Sequence, residues 1–355
     1  MFRNDNLARA LPPESATGDA AAEALAQLYR GESLAEDQAE RLFESLVEGR
    51  LPEPAIAAML IALRLKQETA AELTGAARAL RAADVPFPRP DYLFADSCGT
   101  GGDASGTINV STAVAFVAAA AGLPVAKHGN RSVTSRCGSA DVLEQLGVKL
   151  DVSAEVSRRA LDEAGVCFLY APLYHPGLRH AGPVRRSLGV RTIMNMLGPC
   201  VNPAEPPVQL LGVADPALLE PIARTLAALG VREALVVHGS GLDEVALHGS
   251  TEALRVRQGE IDPFVITPED AGLRRAPVEA LRGGGPVENA ERLKALLAGQ
   301  GTSSEAQVVA LNAGALLMTA GLAPTLKDGA ERATAVLAAG AASKVLERLV
   351  EATND

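Results

Sequence analysis

The sequence predicts an α/β fold in which a small N-terminal helical domain precedes a larger α/β domain with a mostly parallel central sheet. Residues 20–90 carry apolar residues at helical spacing and show no strand signal. From residue 91 onward, short apolar strands alternate with helical patterns, which is typical of a parallel sheet with crossover helices. A length of 355 residues is sufficient for two domains with sizeable cores.

The predicted domain boundaries follow changes in composition. Residues 1–19 contain prolines and small polar residues, and we expect a loosely ordered extension there. The helical domain covers residues 20–90 and closes with a proline-rich link, and part of the polar, turn-rich segment 179–203 is expected to join it. Residues 91–355 then form the α/β domain.

Two capping boxes predict helix starts in the helical domain. Ser33-Leu34-Ala35-Glu36 precedes apolar residues at helical spacing, and Thr69-Ala70-Ala71-Glu72 precedes a later helix. Another helix is predicted over residues 54–66.

The α/β domain is predicted to contain five strands and seven helices. The strands are residues 92–95, 124–127, 166–170, 208–213 and 234–238. The helices are close to residues 112–121, 140–146, 154–164, 216–229, 287–297, 304–319 and 329–350.

Composition argues against several classes of function. The net charge is −10 and aromatic residues make up only 3%, so neither nucleic acid nor an anionic membrane is an expected partner. The four cysteines form no CxxC pair and the first residues lack an apolar signal core, which favours a cytoplasmic protein with free thiols. The longest apolar run, residues 113–126, is too short for a membrane span and is interrupted by glycine and proline.

A glycine-rich loop, Gly99-Thr100-Gly101-Gly102-Asp103, follows the first predicted strand of the α/β domain. Glycines let consecutive amides turn toward an anion and let a phosphate approach the backbone closely. A plain strand-to-loop turn is the alternative interpretation.

A second anion-binding pattern follows at Asn109-Val110-Ser111-Thr112, before an alanine-rich helix. Backbone donors and the helix dipole favour anions at a helix N-terminus. Simple N-capping by the hydroxyl groups is the alternative.

The third pattern, residues 127–139, follows another apolar strand and contains Lys127, His128, Arg131, Arg136 and four hydroxyl side chains. Such a loop can surround a polyanion with charged and neutral donors. The alternative is a solvated basic loop. We expect the last residue, Ser139, to cap the next helix.

Asp243 and Glu244 follow a predicted strand and a Gly-Ser-Gly turn. Hard oxygen ligands beside phosphate-binding loops favour Mg²⁺, which shares oxygens of substrate phosphates. An exposed acidic turn is the alternative.

Four arginines precede the sequence Asn195-Met196-Leu197-Gly198-Pro199, and one of them can hold a carboxylate through its guanidinium fork. Exposure on a solvated surface is the default for most of them. They are Arg179, Arg185, Arg186 and Arg191.

Common hydrolase and nucleotide-binding motifs are absent from the sequence: GxSxG, HExxH and the P-loop. The remaining inventory comprises phosphate-binding loops, a magnesium site and a carboxylate-binding arginine. It favours a displacement that depends on positioning and electrostatics rather than on a covalent enzyme intermediate.

These motifs together, in this order, resemble the anthranilate phosphoribosyltransferase family over nearly the whole chain from about residue 20. Further motifs carry the likeness: Gly138-Ser139-Ala140-Asp141, Pro183-Val184-Arg185-Arg186 and Pro199-Cys200-Val201-Asn202-Pro203. The resemblance implies a fold of the nucleoside phosphorylase and phosphoribosyltransferase type, with the site in a cleft between the domains and a homodimer formed through the helical domain. It also implies transfer of a phosphoribosyl group from 5-phosphoribosyl diphosphate to anthranilate, the second step of tryptophan biosynthesis from chorismate.

The resemblance further implies roles for individual residues, with Mg²⁺ as cofactor. Anthranilate would contact Gly99, Asn130 and Arg185, and Mg²⁺ would be held by Ser111, Asp243 and Glu244. No catalytic residue is certain; His128 is a candidate general base. The residues between Lys127 and Ser135 would form a flexible lid. The site of 5-phosphoribosyl diphosphate would comprise Gly99, Gly102, Asp103, Thr107, Asn109, Val110, Ser111, Thr112, Lys127, His128, Gly129, Asn130, Arg131, Ser132, Val133, Thr134, Ser135 and Ser139.

Two rival functions remain at this point. A pyrimidine nucleoside phosphorylase has a similar architecture but should not need a metal-binding Asp-Glu pair. A non-catalytic relative that binds nucleic acid should be basic on one face, whereas this chain is acidic.

Overall fold

The computed structural model describes residues 19–132 and 136–355, and within them it confirms the predicted fold class, a small helical domain and a larger α/β domain. The predicted extension lies outside the described residues except for its last residue, with which the first helix begins. The chain divides into two compact units, which meet in the sequence at residues 85/86, 174/175 and 201/202. Unit 1 comprises residues up to 85 together with 175–201, and unit 2 comprises the rest.

Unit 1 is helical throughout its described part. Its core consists of fully buried side chains, including those of Phe43, Leu60 and Leu73. The guanidinium of Arg81 donates from Nε and Nη2 to the carbonyl of Cys200, at 3.1 and 2.8 Å, and so ties the later segment to the earlier one. The helices are α1 (Asp19–Tyr29), α2 (Glu36–Val47), α3 (Glu53–Lys66) and α4 (Ala70–Ala82), followed by α9 (Gly182–Leu188) and α10 (Met194–Leu197).

One of the two predicted capping boxes is correct. Thr69 accepts from the Glu72 N–H and Glu72 accepts from the Thr69 N–H, so this box starts α4. The prediction at Ser33 is wrong, because α2 is preceded by Ala35 at the N-cap position. There the Gln38 side chain accepts from the Ala35 N–H at 2.9 Å and replaces the predicted contact.

Unit 2 contains one seven-stranded sheet in the order β3-β2-β1-β4-β5-β6-β7. The first five strands are parallel, and β6 and β7 add an antiparallel hairpin at one edge. Nearly every residue of β1 to β5 is buried, as expected for parallel strands covered by helices on both faces. The strands are β1 (Ala95–Gly99), β2 (Val125–Gly129), β3 (Val166–Tyr170), β4 (Val208–Gly212), β5 (Glu233–His238), β6 (Thr251–Arg257) and β7 (Glu260–Ile266).

The order of the strands creates a switch point between β1 and β4. The chain runs from β1 to β2 on one side, and β4 then pairs with β1 on the other side. Ligands of open α/β sheets bind outside the carboxyl ends of strands at such a point. The loops after β1 and β4 therefore border the expected crevice.

The helices of unit 2 cover the sheet. The predicted helix over residues 329–350 is two helices, because Gly340 adopts a left-handed φ of 63° between them. The hairpin of β6 and β7 was not predicted. The helices are α5 (Val110–Ala120), α6 (Ser139–Gln145), α7 (Ala154–Ala164), α8 (Ala171–Tyr174), α11 (Leu219–Ala228), α12 (Pro286–Leu297), α13 (Ser303–Thr319), α14 (Leu326–Ala338) and α15 (Ala341–Asn354).

No helix in the described ranges is long and apolar enough to cross a membrane.

Candidate active site

The loop after β1 and the acidic turn after β5 meet at the carboxyl edge of the sheet. The Gly101 N–H donates to Oδ2 of Asp243 over 2.6 Å. The neighbouring Thr100 N–H donates to the carbonyl of Gly212 at the end of β4, at 2.9 Å. The glycine-rich loop is thus held between two strand ends. At Gly99 a Cβ atom would lie 2.3 Å from the Asp243 carboxylate, so only glycine fits there without displacing that side chain.

The start of α5 meets the second acid of the turn. The Ser111 N–H donates to Oε1 of Glu244 at 3.1 Å. Two neighbouring segments, the β1 loop and the α5 start, therefore each place a backbone donor on one member of an acid pair that lies 142 and 133 residues further along the chain. Each of the two adjacent carboxylates therefore accepts a hydrogen bond from the backbone of a different segment.

Burial and nearby negative charge raise the pKa of both acids. Desolvation is the largest cause for Asp243, followed by the negative charge of Asp103. Desolvation also raises the pKa of Glu244, followed by the charge of Asp243, whereas Lys127 acts in the opposite direction. The site therefore has an excess of negative charge that a cation would offset.

Lys127 faces inward from β2 and is only 3% exposed. Its ammonium donates to the carbonyl of Ser97 at 2.5 Å and to Oγ of Ser111 at 3.2 Å. The lysine therefore orients the Ser111 hydroxyl and lowers the repulsion around Glu244.

A buried carboxyl group supports Lys127 from β1. Asp96 is completely buried, and burial raises its pKa while the Lys127 charge opposes that rise. Asn202 donates to Oδ2 of Asp96 at 2.9 Å and to the carbonyl of Ala126 at 2.8 Å. Asn202 belongs to a motif of the sequence, whereas Asp96 precedes the glycine-rich loop, and only the folded chain reveals their contact with each other.

Asn109 precedes α5 without capping it, since its side chain makes no cap hydrogen bond. Instead, its Nδ2 donates to the carbonyl of Cys137 at 3.2 Å and its Oδ1 accepts from Nδ2 of Asn289 at 2.9 Å. Ser111 and Thr112, whose hydroxyl groups the capping alternative concerned, lie inside α5, so neither occupies its N-cap position. The hydroxyl of Thr112 is buried and makes no hydrogen bond within the described part of the chain.

The Asp141 side chain joins two parts of the segment that follows β2. Oδ2 of this carboxylate accepts from the Ser132 N–H at 3.0 Å and from the Gly138 N–H at 2.9 Å. The prediction that Ser139 caps α6 is therefore wrong, because Gly138 occupies the N-cap position and Ser139 is the first helical residue. Val133, Thr134 and Ser135 lie outside the described residues.

The basic side chain of this segment is already paired. Both Nη atoms of Arg131 donate to the Glu144 carboxylate at 2.8 Å, and Nη1 also lies 3.3 Å from Asp141. Beside it, Asn130 Oδ1 accepts from the Arg131 N–H at 2.7 Å. Acidic side chains of the protein itself therefore pair with Arg131, so its guanidinium is not simply solvated and is not reserved for a ligand.

The remaining predicted residues of unit 2 occupy neighbouring positions. Thr107 forms a β-bridge with Arg282, and its hydroxyl lies 3.3 Å from that of Ser105. His128 is buried in β2 next to Gly129, where a Cβ atom would lie 2.4 Å from the Ser139 hydroxyl. Gly102 has a left-handed φ of 78° in the β1 loop, and Val110 is the first residue of α5.

Arg185 lies on α9 in unit 1. It is partly buried, as is Arg191, whereas Arg179 and Arg186 are exposed. Burial lowers the pKa of its guanidinium, and no carboxylate within the described residues pairs with it. Of the predicted arginines, it has the properties expected of a carboxylate-binding residue.

Within residues 19–132 and 136–355, no group of three or more His, Cys, Asp and Glu side chains is arranged to hold a metal ion. A site built on Asp243 and Glu244 would therefore draw its other ligands from hydroxyl groups, water or a bound phosphate.

Comparisons with known proteins agree with these features. The helical bundle domain of a glycosyl transferase family matches residues 22–83, and the a/b domain of that family matches residues 91–343. Anthranilate phosphoribosyltransferase from Sorangium cellulosum is 58% identical over 92% of this chain and 94% of its own length.

Two solved structures show the same fold. The crystal structure of anthranilate phosphoribosyltransferase from Thermus thermophilus has 44% identity and a TM-score of 0.88, over 94% of this chain and 99% of that one. The enzyme of that name from Saccharomyces cerevisiae, in complex with PRPP (5-phosphoribosyl diphosphate) and Mg, has 26% identity and a TM-score of 0.86. That match spans 95% of this chain and 99% of the yeast chain.

Proposed function

The chain belongs to the anthranilate phosphoribosyltransferase family of glycosyl transferases, and from this premise we propose how its residues carry out the reaction. The protein transfers the 5-phosphoribosyl group of 5-phosphoribosyl diphosphate to the amine of anthranilate, a step of tryptophan biosynthesis. The bond between ribose C1 and diphosphate oxygen breaks, a C1–N bond forms, the amine loses a proton and diphosphate leaves.

One observation carries the proposal: two phosphate-type loops converge on one acid pair. Gly101 reaches Asp243 and Ser111 reaches Glu244 through backbone hydrogen bonds. The Gly101 and Ser111 amides are occupied by the acids, so the other donors of these two loops would stabilise the negative charge that develops on the departing diphosphate. Donors fixed by the fold need no rearrangement as that charge develops. The ribose gains oxocarbenium character as the bond breaks, as in other glycosidic displacements.

We propose that Ser111, Asp243 and Glu244 hold Mg²⁺ together with substrate oxygens. The donor set fits a hard divalent cation, because two crowded carboxylates with raised pKa values gain from a neighbouring positive charge. When bound, the ion would offset charge on the diphosphate leaving group. The role of Lys127 is to orient the Ser111 hydroxyl within this set.

The substrate sites follow the family resemblance. Residues of the three loops after β1, before α5 and after β2 would bind 5-phosphoribosyl diphosphate. Gly99, Asn130 and Arg185 would contact anthranilate, with the guanidinium on its carboxylate. Because the aromatic amine is an uncharged but weak nucleophile, its orientation supplies much of the rate enhancement. The amine proton passes either to His128 or to water.

The experiment that tests the function is a fluorescence assay. Anthranilate fluorescence should decay when 5-phosphoribosyl diphosphate, Mg²⁺ and the protein are added together. It should not decay when 5-phosphoribosyl diphosphate or Mg²⁺ is omitted. Phosphate-dependent cleavage of thymidine or uridine, with no anthranilate consumption, would instead identify a pyrimidine nucleoside phosphorylase. A salt-sensitive gel shift with DNA or RNA would support a nucleic-acid-binding relative.

We also propose a homodimer formed through the helical domain. Unit 1 exposes apolar side chains, with Leu65 81% exposed and Val190 53% exposed, and burial of such side chains favours association. Light scattering coupled to gel filtration should give twice the chain mass of 36.6 kDa, and a monomer mass would contradict the dimer. Four buried free cysteines are consistent with a cytoplasmic location.

A further inference from the structure

We propose that Asn289 is a positioning residue that fixes the orientation of the Asn109 side chain and thereby shapes the site for 5-phosphoribosyl diphosphate. The inference takes the identity of the substrate from the proposed function, whereas the contacts on which it is built do not depend on that function. Asn289 lies on α12, 180 residues further along the chain than Asn109, and is only 3% exposed. No motif of the sequence marked it.

The two amide side chains form a relay between backbone groups of two different loops. The Gly284 N–H donates to Oδ1 of Asn289 at 2.8 Å, and Nδ2 of Asn289 donates to Oδ1 of Asn109 at 2.9 Å. Nδ2 of Asn109 then donates to the Cys137 carbonyl at 3.2 Å. The relay thus joins the segment before α12, the segment before α5 and the end of the segment that follows β2.

The direction of the relay is determined at both ends. A backbone N–H can only donate, so the oxygen of Asn289 must face Gly284 and its nitrogen must face Asn109. A backbone carbonyl can only accept, so the nitrogen of Asn109 must face Cys137. The two requirements agree at the central contact, where a nitrogen meets an oxygen. Each amide therefore has one orientation that satisfies its neighbours, and flipping either would place two donors or two acceptors together.

The backbone around Asn109 is also held against the segment that precedes α12. The Ile108 N–H donates to the Leu281 carbonyl at 2.9 Å, and the Gly283 N–H donates to the Gly106 carbonyl at 2.8 Å. The segment before α5 therefore lies along a two-stranded contact with residues 281–283. Asn289 adds the side-chain contact that reaches the residue immediately before α5.

A second residue of α12 anchors this contact. Arg292 donates to the carbonyl of Arg282, and its Nε lies 2.8 Å from the carboxylate of Glu305, which is 3% exposed. The segment that supports Asn109 is therefore itself tied to α13. This rigidity lets Asn289 impose an orientation on Asn109 rather than follow it.

The consequence is a preformed donor arrangement at the phosphate loops. With its Oδ1 held by Asn289, the Asn109 side chain has one fixed orientation, in which its Nδ2 donates to the Cys137 carbonyl. Without Asn289, the Asn109 side chain can rotate or flip, and the substrate must restore the order on binding. That cost falls on ground-state binding of the phosphorylated substrate more than on the subsequent chemistry.

The test compares Asn289→Ala, Asn289→Ser and Asn109→Ala with the double variant. We expect Asn289→Ala to raise KM for 5-phosphoribosyl diphosphate about tenfold, with kcat and KM for anthranilate within about twofold. The double variant should be no worse than Asn109→Ala, because both residues act through one relay. Additive effects, or an unchanged KM in Asn289→Ala, would overturn the inference. If Asn289→Ala folds poorly, Asn289→Ser replaces it in the comparison, because serine keeps a small polar group at this position.

Thr353→Ala is the matched control for a merely structural effect. The Thr353 hydroxyl is also buried in unit 2 and accepts from a distant backbone group, the Lys149 N–H at 3.3 Å. We expect this variant to lower Tm as Asn289→Ala does while leaving KM for both substrates unchanged. A KM increase equal to that of Asn289→Ala would reduce the role of Asn289 to general stability.

Hydrogen exchange without substrate separates this inference from the proposed function. Amides in residues 104–112 should exchange faster in Asn289→Ala than in the unsubstituted protein, whereas those in Thr353→Ala should not. Unchanged exchange in Asn289→Ala would contradict the relay even if anthranilate is consumed. A protein that consumes no anthranilate but shows the local exchange increase would retain the relay and lose the proposed reaction.

Discussion

Gly212 lies directly against Asp243, so closely that a Cβ atom on the glycine would be 1.6 Å from the carbonyl oxygen of the aspartate. The glycine is the last residue of β4, and its own carbonyl accepts from Thr100. The end of β4 therefore supports both the glycine-rich loop and the acidic turn. The absence of a side chain at this position lets these two parts of the site approach each other.

Gly212→Ala is expected to abolish most of the activity. The added methyl group must displace the backbone of the acidic turn, because backbone atoms cannot rotate away as a flexible side chain can. We expect turnover of anthranilate to fall about a hundredfold or more and Tm to fall as well. Gly285→Ala is the control, since its Cβ would meet nothing within 4 Å and its φ is −77°. Wild-type turnover in Gly212→Ala would show that the turn tolerates displacement.

Neutralising the acid pair should separate activity from stability. Asp243→Asn and Glu244→Gln remove one negative charge each while keeping an oxygen that can accept the backbone hydrogen bond. We expect turnover to fall about a hundredfold or more at saturating Mg²⁺, since each variant removes a charged ligand of the proposed metal site. Undiminished activity with a normal Mg²⁺ dependence would remove the residue from that site.

The same variants should be more stable than the unsubstituted protein when Mg²⁺ is chelated at alkaline pH. Both pKa values are raised in the folded state, so folding binds protons more tightly and the ionised pair opposes folding. The contribution of this pair to the stability of the unsubstituted protein should therefore rise as pH falls from about 8 toward the ordinary carboxyl range. In thermal unfolding measured in chelator, Tm should increase less with falling pH in each variant than in the unsubstituted protein. A variant whose Tm at pH 8 is below that of the unsubstituted protein would contradict the prediction.

The loops that come together at the acid pair were easier to predict from the sequence than the boundaries of the strands that carry them. Parallel strands and their following loops have local signals, so the glycine-rich loop, the α5 start and the acid pair could be found. The first strand was predicted at residues 92–95 but spans Ala95–Gly99, because Asp96 and Ser97 are polar and resemble loop residues. Asp96 is nevertheless buried, since Asn202 donates to its carboxylate.

The missed features depend on contacts between distant residues. Asn289 is one polar residue on a helix, and only the folded chain brings it to Asn109. The hairpin of β6 and β7 has partly exposed, charged strands. The pairing of β6 with β5 and of β7 with β6 outweighs their weak apolar pattern. Propensity and periodicity contain no information of this kind.

Arg185→Ala is expected to weaken the use of anthranilate selectively. A partly buried guanidinium without a carboxylate partner within the described residues is available for the carboxylate of a ligand. KM for anthranilate should rise about tenfold or more, while KM for 5-phosphoribosyl diphosphate changes little. Arg186→Ala is the control, because this neighbouring arginine is exposed. Equal effects of the two substitutions, or none, would exclude Arg185 from the anthranilate site.

Glu72→Gln should destabilise unit 1. The Glu72 carboxylate is 0% exposed and accepts from Lys66 at 2.6 Å, from the Leu34 N–H at 2.9 Å and from Thr69. Removing its charge leaves the Lys66 ammonium buried without a counter-ion, at a cost of about 3 kcal/mol. Denaturant unfolding should show this loss, whereas Glu32→Gln, in an exposed pair with Arg30, should change little. Equal midpoints for the two variants would contradict the proposed importance of burial.

Acid should destabilise the protein through His175. This imidazole is 3% exposed, and burial lowers its pKa to about 4 although its Nδ1 contacts the carboxylate of Asp84. The neutral ring can donate from Nδ1 to that carboxylate, so the contact does not require a charged histidine.

The sign of the pH effect follows from the lowered pKa. Between about pH 6.5 and pH 4 the unfolded chain binds a proton at His175 that the folded chain does not bind, so stability falls as pH falls. One such group contributes a slope of at most about 1.4 kcal/mol per pH unit. Unfolding free energies of the unsubstituted protein and His175→Gln should therefore converge as pH falls through this window. Parallel pH profiles would show that His175 takes up its proton in the folded state as readily as in the unfolded chain.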